Sequence, residues 1–107
     1  MKECYTDRYT AYCIMNKYTK EEYIGITKDV SKRMLAHRAR LRAKTHIHLP
    51  LYSNMLEYGE HAFIYGVIEV NMTRKQALRI EKQLVEKHQP ALNSNLKWLL
   101  IQNYLFC

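Results

Sequence analysis

The sequence predicts an α+β domain in which short strands precede and interrupt a set of helices, and three observations carry that prediction. The first is a pair of runs rich in aromatic and β-branched residues, Tyr9 to Ile14 and Tyr23 to Thr27, joined by a polar connection, Asn16 to Glu22. Two such runs around a short polar loop read as an antiparallel hairpin. The second is a later run, Ala62 to Val70, apolar enough to form a third strand central in a small sheet. The third is a set of helix-forming stretches with start and stop signals of their own.

Along the hairpin, side chains alternate between faces. Tyr12 and Ile14 therefore share one face, with Cys13 on the other. Tyr23 and Gly25 share a face of the second strand, and Ile24 and Ile26 share its opposite. Gly25 marks a place where another backbone or a ligand comes close. Paired in this way, Tyr12 and Tyr23 bring two phenols side by side. Taken alone, the hairpin reads as two half-buried strand tyrosines.

Asp29 is positioned as an N-cap, and the stretch from Lys32 to Ala43 is rich in helix formers. Arg33, His37 and Arg40 stand at i, i+4 and i+7 and share a face. Met34, Leu35 and Leu41 supply apolar contacts around the other side. Between Lys28 and Lys44 there are seven cations, Lys28, Lys32, Arg33, Arg38, Arg40, Arg42 and Lys44, against the single acid Asp29. An imbalance of that size favours a phosphate-tracking surface over an ordinary solvated face.

The segment Thr45 to Pro50 breaks the helix. Its His46 and His48 have no second ligand pair at zinc spacing, so the stretch reads as a loop. Pro50 starts a short helix, Leu51 to Tyr58, with Leu51, Met55 and Tyr58 along one stripe and Gly59 at its stop. Thr73 to Gln76 has the form of a capping box opening a helix to about His88. Ala77, Ile80, Leu84 and Val85 form its core stripe. Glu81 borders that stripe, and helix geometry alone makes it a rim charge beside Lys82 or Lys87. Pro90 ends the helix, and Asn93 follows in a turn.

Length and charge bound the function. A chain of 107 residues is one domain, with a core at about 9–95 and an apolar tail at 96–107. Its net charge of +7 implies an anionic partner, most simply nucleic acid, though charge alone also suits an anionic membrane surface. Three cysteines, Cys4, Cys13 and Cys107, without metal-ligand spacing read as reduced thiols. Residues 1–4 lack the apolar run of a signal peptide, and nothing approaches the ~20 apolar residues of a membrane span. A cytoplasmic, reducing location is the expectation.

Taken in order, Tyr12 with Asn16, then Tyr23-Ile24-Gly25-Ile26-Thr27, then Lys28-Asp29 with Lys32, Arg33 and His37, closely resemble the core of the GIY-YIG nuclease family. Tyr58-Gly59 with Phe63, Glu81, and Pro90 with Asn93 fall where that family has its remaining markers. The resemblance spans roughly residues 10–95. One departure is plain: the first triplet is Thr10-Ala11-Tyr12 in place of Gly-Ile-Tyr. The tyrosine is kept, but the packing around it must differ.

The resemblance implies a small three-stranded antiparallel sheet flanked by helices. It also implies a catalytic set of Tyr12, Tyr23, Arg33, His37 and Glu81, with Asn93 as a supporting structural residue. Phosphodiester hydrolysis needs a base for water and stabilisation of charge at the phosphate and the leaving oxygen, which one divalent cation and one guanidinium can largely supply. With Glu81 as the one carboxylate ligand, Mg²⁺ (or Mn²⁺) suits better than zinc, because Mg²⁺ keeps several waters. Arg33 would clamp the phosphate. Tyr12 would be the base, provided nearby positive charge lowers a phenol pKa that is normally about 10.

The expected function is thus a metal-dependent endonuclease on duplex DNA, of low intrinsic sequence specificity. Lys28, Lys32, Arg38, Arg40, Arg42 and Lys44 are the expected nucleic-acid contacts. Two other readings remain open: an RNA-cleaving enzyme on the same scaffold, and a catalytically idle nucleic-acid-binding module. The tail, Leu96 to Phe106, is apolar almost all round and must be covered, either by its own core or by a second copy in a homodimer.

Overall fold

The computed structural model describes residues 8–93. The tail expected to close the core or to pair two copies lies outside the described residues.

The chain builds strand β1 (Tyr9–Asn16), strand β2 (Glu22–Thr27), helix α1 (Val30–Ala43), helix α2 (Pro50–Tyr58), a 3₁₀ turn (Glu60–Ala62), strand β3 (Phe63–Met72) and helix α3 (Arg74–His88). The three strands form one antiparallel sheet in the order β2-β1-β3. The third strand was expected in the centre, and the structure corrects this. β1 is central, because the hairpin pairs it with β2 and its other edge takes β3. Ile64, Tyr65, Val67, Ile68 and Val70 are consequently exposed on the outer strand. The β1–β3 register shifts twice, between Tyr9 and Ala11 and between Ala11 and Tyr12. Such bulges locally interrupt the ladder opposite Val67 to Met72.

The two faces of the sheet carry two clusters. On one, Tyr12 and Ile14 pack with Leu41 of α1 and Leu51, Tyr52 and Met55 of α2, joined by Ala62, Phe63 and Leu92. Met34 is half-buried against this cluster, while Leu35 is exposed. On the other, Tyr9, Ala11 and Met72 pack with Ala77 of α3, flanked by Ile26 and Ile80. Ala11 is fully buried there. Ala11, the middle residue of the Thr10-Ala11-Tyr12 triplet, therefore sits at the centre of this small cluster.

The helix signals act as their residue types dictate. Asp29 caps α1 through its side chain to the Lys32 N–H at 3.0 Å. Thr73 and Gln76 close a reciprocal capping box on α3, at 3.1 and 2.9 Å. Gly59 ends α2 at φ 87°, in the region that glycine favours. No helix among the described residues is long and apolar enough to cross a membrane.

Candidate functional site

The hairpin register pairs Tyr12 with Gly25 and Ile14 with Tyr23. Tyr12 and Tyr23 thus lie diagonally on one face, with ring centroids 6.1 Å apart. What comes close to Gly25 is neither a backbone nor a ligand but the Tyr12 side chain: a Cβ on that glycine would lie 2.8 Å from Tyr12 Oη.

Helix α1 crosses this face and sets His37 against both rings, 6.2 Å from Tyr12 and 5.6 Å from Tyr23. His37 Nε2 and Tyr12 Oη are 3.1 Å apart. On the far side of the imidazole, Nδ1 stands 2.6 Å from the hydroxyl of Tyr52, on α2. Arg40 Nη1 in turn donates to Tyr52 Oη at 3.3 Å. Arg40, expected among the nucleic-acid contacts, therefore has an internal partner. Tyr52 was not gathered by the sequence reading. Its neighbours Leu51 and Met55 marked the buried stripe of α2, and Tyr52 completes that face at i+1. Its partners come from α1, which local periodicity does not reveal.

Arg33, one turn before His37, connects the remaining groups. Its charge favours the ionised forms of Tyr12, Tyr23 and Glu81 and disfavours protonation of His37. Burial nevertheless dominates at each of these four. It pushes the Tyr12 phenol well above its ordinary value, and the neighbouring Tyr23 adds to that rise. Tyr23 is raised by burial as well. The Glu81 carboxyl, half-buried on α3, is raised by burial against the pull of Arg33. His37, buried between Arg33 and Arg40, is pushed down to about 4 and is neutral at pH 7. The lowered Tyr12 pKa that base catalysis requires is thus not a property of the free chain.

Asn93 holds β2 in place. Its side chain accepts from the Ile24 N–H at 2.6 Å and donates to the Ile24 carbonyl at 2.7 Å, as a neighbouring strand would. Leu92 adds a backbone bond to Glu22 at 2.9 Å. Asn16 does a similar service at the hairpin turn, accepting from Tyr18 and Thr19 and donating to Asn54.

Beside Arg33 lies an open cleft of about 540 Å³ at the β2–α1 junction, reaching the start of α3. Lys28, Lys32 and Arg33 line it with Tyr9 and Asp29, and Arg74 contributes a further cation from α3 that the sequence reading did not include. Arg38, Arg42 and Lys44 are exposed further along α1 and just beyond it.

Residues 8–95 match the family described as the GIY-YIG catalytic domain. The chain belongs to the GIY-YIG family. No curated protein matches it. Among solved structures, the GIY-YIG chain is similar to the catalytic domain of homing endonuclease I-TevI. The identity is 19% and the TM-score 0.70, over 80% of this chain and 97% of that one. It is likewise similar to a single-substitution mutant of the catalytic domain of intron endonuclease I-TevI. There the identity is 20% and the TM-score 0.66, over 75% and 82% of the two chains. At that identity the likeness establishes a shared GIY-YIG fold, with its three-stranded antiparallel sheet and flanking helices.

Proposed function

We propose that this chain is a divalent-metal-dependent endonuclease that hydrolyses phosphodiester bonds in duplex DNA with low intrinsic sequence specificity. The observation that carries the reading is the convergence of Tyr12, Tyr23, His37, Arg33 and Glu81 from four separate elements into one electrostatically connected site. Membership of a nuclease family supports the activity, and the homing-endonuclease neighbours favour DNA as the substrate.

The donor set fits a hard cation. Among the described residues no three His, Cys, Asp or Glu side chains gather as a metal cluster, and the carboxylate electrostatically coupled to Arg33 and Tyr23 is Glu81. A single oxygen ligand is compatible with Mg²⁺ or Mn²⁺ completed by water and substrate oxygens. Glu81 would hold that ion, whose charge would offset that of the phosphate and relieve the leaving oxygen.

The protein's own groups do the rest. Arg33 binds the scissile phosphate through its planar fork. Tyr12 Oη, once ionised, takes the proton of the attacking water. Because burial holds that phenol protonated in the free chain, ionisation requires positive charge beyond that of Arg33. Tyr23 packs beside Tyr12 and supports its position. The cleft lined by Lys28, Lys32 and Arg74 gives the flanking phosphates a path. Self-association through residues 96–107 would pair two sites for double-strand cleavage. Sedimentation of the intact chain, beside a version ending at Lys97, tests that point. A reducing intracellular setting matches Cys13 as a free thiol.

The decisive experiment is plasmid cleavage with Mg²⁺ or Mn²⁺, with and without EDTA, beside an RNA substrate and the Glu81→Ala variant. Metal-dependent cutting of DNA, lost in Glu81→Ala while binding survives, is the expected result. Full cleavage in EDTA, an active alanine variant or cleavage of RNA alone overturns the reading.

A further inference from the structure

Arg40, Tyr52, His37 and Tyr12 form a line of side chains from the exposed flank of α1 into the sheet, each in polar contact with the next. The direction of the hydrogen bonds along it follows from what each group is able to donate.

A guanidinium has only donors. Arg40 therefore fills one lone pair of Tyr52 Oη, at 3.3 Å. Tyr52 is 3% exposed, and among the described residues the polar partners of its hydroxyl are Arg40 and His37. If His37 carried its proton on Nδ1, the Tyr52 oxygen would accept twice and its own proton would lack an acceptor. A buried, unpaired hydroxyl is unfavourable. The arrangement in which every proton is used has Tyr52 O–H donating to Nδ1, across 2.6 Å. The imidazole proton then sits on Nε2 and points at Tyr12 Oη, 3.1 Å away. The choice between tautomers is a real one at neutral pH, since His37 is uncharged there.

We infer that Tyr52, backed by Arg40, is a positioning residue that fixes His37 in its Nε2–H tautomer, so that His37 donates a hydrogen bond to the Tyr12 oxygen and stabilises that oxygen as it becomes negative. The opposite tautomer would present a lone pair to Tyr12 and favour the neutral phenol. The inference rests on Tyr12 being the base of the proposed nuclease. It assigns His37 the role of donor to a developing phenolate rather than acceptor of the phenol proton, which passes to the half-buried Tyr23 hydroxyl beside it as that group releases its own proton to solvent.

The test has two readouts on the intact chain. Long-range ¹H–¹⁵N correlation spectra of the imidazole report the tautomer without any cleavage. Steady-state kinetics on plasmid DNA with Mg²⁺ report its effect. The wild type should show Nε2–H. Tyr52→Phe keeps the ring and removes the donor, so it should show a mixture of tautomers and a kcat lower by about tenfold, with KM unchanged. Arg40→Ala, at an exposed position of α1, should move both readouts the same way by less.

A wild-type Nδ1–H tautomer, or a tautomer unmoved in both variants, overturns the assignment. So does an altered tautomer with unchanged kcat in an active enzyme. If the tautomer responds as expected while the intact chain cuts nothing, the nuclease reading falls and the positioning of His37 by Tyr52 stands.

Discussion

The Tyr12 phenol lies across the backbone of Gly25, so close that a Cβ there would stand 2.8 Å from Oη and 2.9 Å from Cζ. Neither partner can yield easily. Gly25 is locked in the hairpin ladder, and Tyr12 is 2% exposed with its hydroxyl against His37. Gly25→Ala should therefore leave a folded protein, destabilised by about 1–3 kcal/mol. Its cleavage should fall by ~10² or more, because the proposed base, Tyr12, is displaced. Urea unfolding beside a plasmid assay measures both. An alanine variant with wild-type turnover would mean that Tyr12 does not need this seat.

Removing the chemistry while keeping the packing isolates the roles of the two tyrosines and the arginine. Tyr12→Phe should slow cleavage by ~10² or more, the usual scale of a lost general base. Arg33→Ala should cost at least as much, since its charge acts on Tyr12, Tyr23, His37 and Glu81 together. Tyr23→Phe should be milder. Single-turnover rates at saturating DNA separate these losses from weaker binding. A near-normal Tyr12→Phe rate would transfer the base to another group.

Asn93 presents a prediction about stability rather than chemistry. Its amide satisfies both the N–H and the carbonyl of Ile24, whose side chain is 2% exposed. Asn93→Ala orphans both backbone groups and should destabilise the fold by roughly 2–4 kcal/mol. Asn93→Asp keeps the acceptor but turns a carboxylate oxygen towards the Ile24 carbonyl. It should be at least as harmful at pH 7 and recover partly on acidification, when a protonated carboxyl can donate. Urea midpoints at two pH values decide it.

Local chemistry was legible in the sequence and long-range packing was not. The Asp29 cap, the Thr73–Gln76 box and the alternation of Tyr12 and Ile14 each depend on neighbours within a few residues, and each formed where its residue types required. The outer position of β3 depends on which edge of β1 remained free, so a run as apolar as Phe63 to Val70 misled. Tyr52 meets His37 across 15 positions and Asn93 meets Ile24 across 69. Neither contact has a local signature. The high pKa of Tyr12 is likewise a consequence of burial by other elements.

Burial of His37 makes stability depend on pH. Its folded pKa is about 4, against 6.5 for an ordinary histidine. Between those values the unfolded chain binds a proton that the folded chain does not, so stability falls as pH drops from about 6.5 to about 4 and the His37 contribution is flat outside that window. The loss should be about 3 kcal/mol. NMR titration of the His37 ring should show no transition near 6.5, and urea midpoints should decline through the window. A ring that titrates normally would contradict the buried, neutral state on which its contact with Tyr12 depends.

On the proposed function, binding should be dominated by phosphate contacts, and the cations differ in their surroundings. Arg40 donates to Tyr52 and Arg74 more weakly to Tyr9, while the charge of Arg33 acts on Tyr12. Arg38 and Arg42 are exposed along α1, while Lys32 and Arg74 line the cleft that leads to Arg33. Each phosphate contact releases counterions, so log affinity falls with log salt at a slope of about 0.9 per contact. Neutralising Arg38 and Arg42 together should shallow that slope by roughly two units, and so should neutralising Lys32 and Arg74. Catalysis should separate the two pairs. The cleft pair lies beside Arg33, the proposed phosphate ligand, so its loss should also lower the rate at saturating DNA, whereas the outer pair should leave that rate unchanged. Fluorescence anisotropy on a short duplex from about 50 to 200 mM salt, with a catalytically silent Glu81→Ala background, gives the slopes. An affinity indifferent to salt, or one that discriminates strongly among duplex sequences, would mean that base contacts rather than this charge distribution hold the substrate.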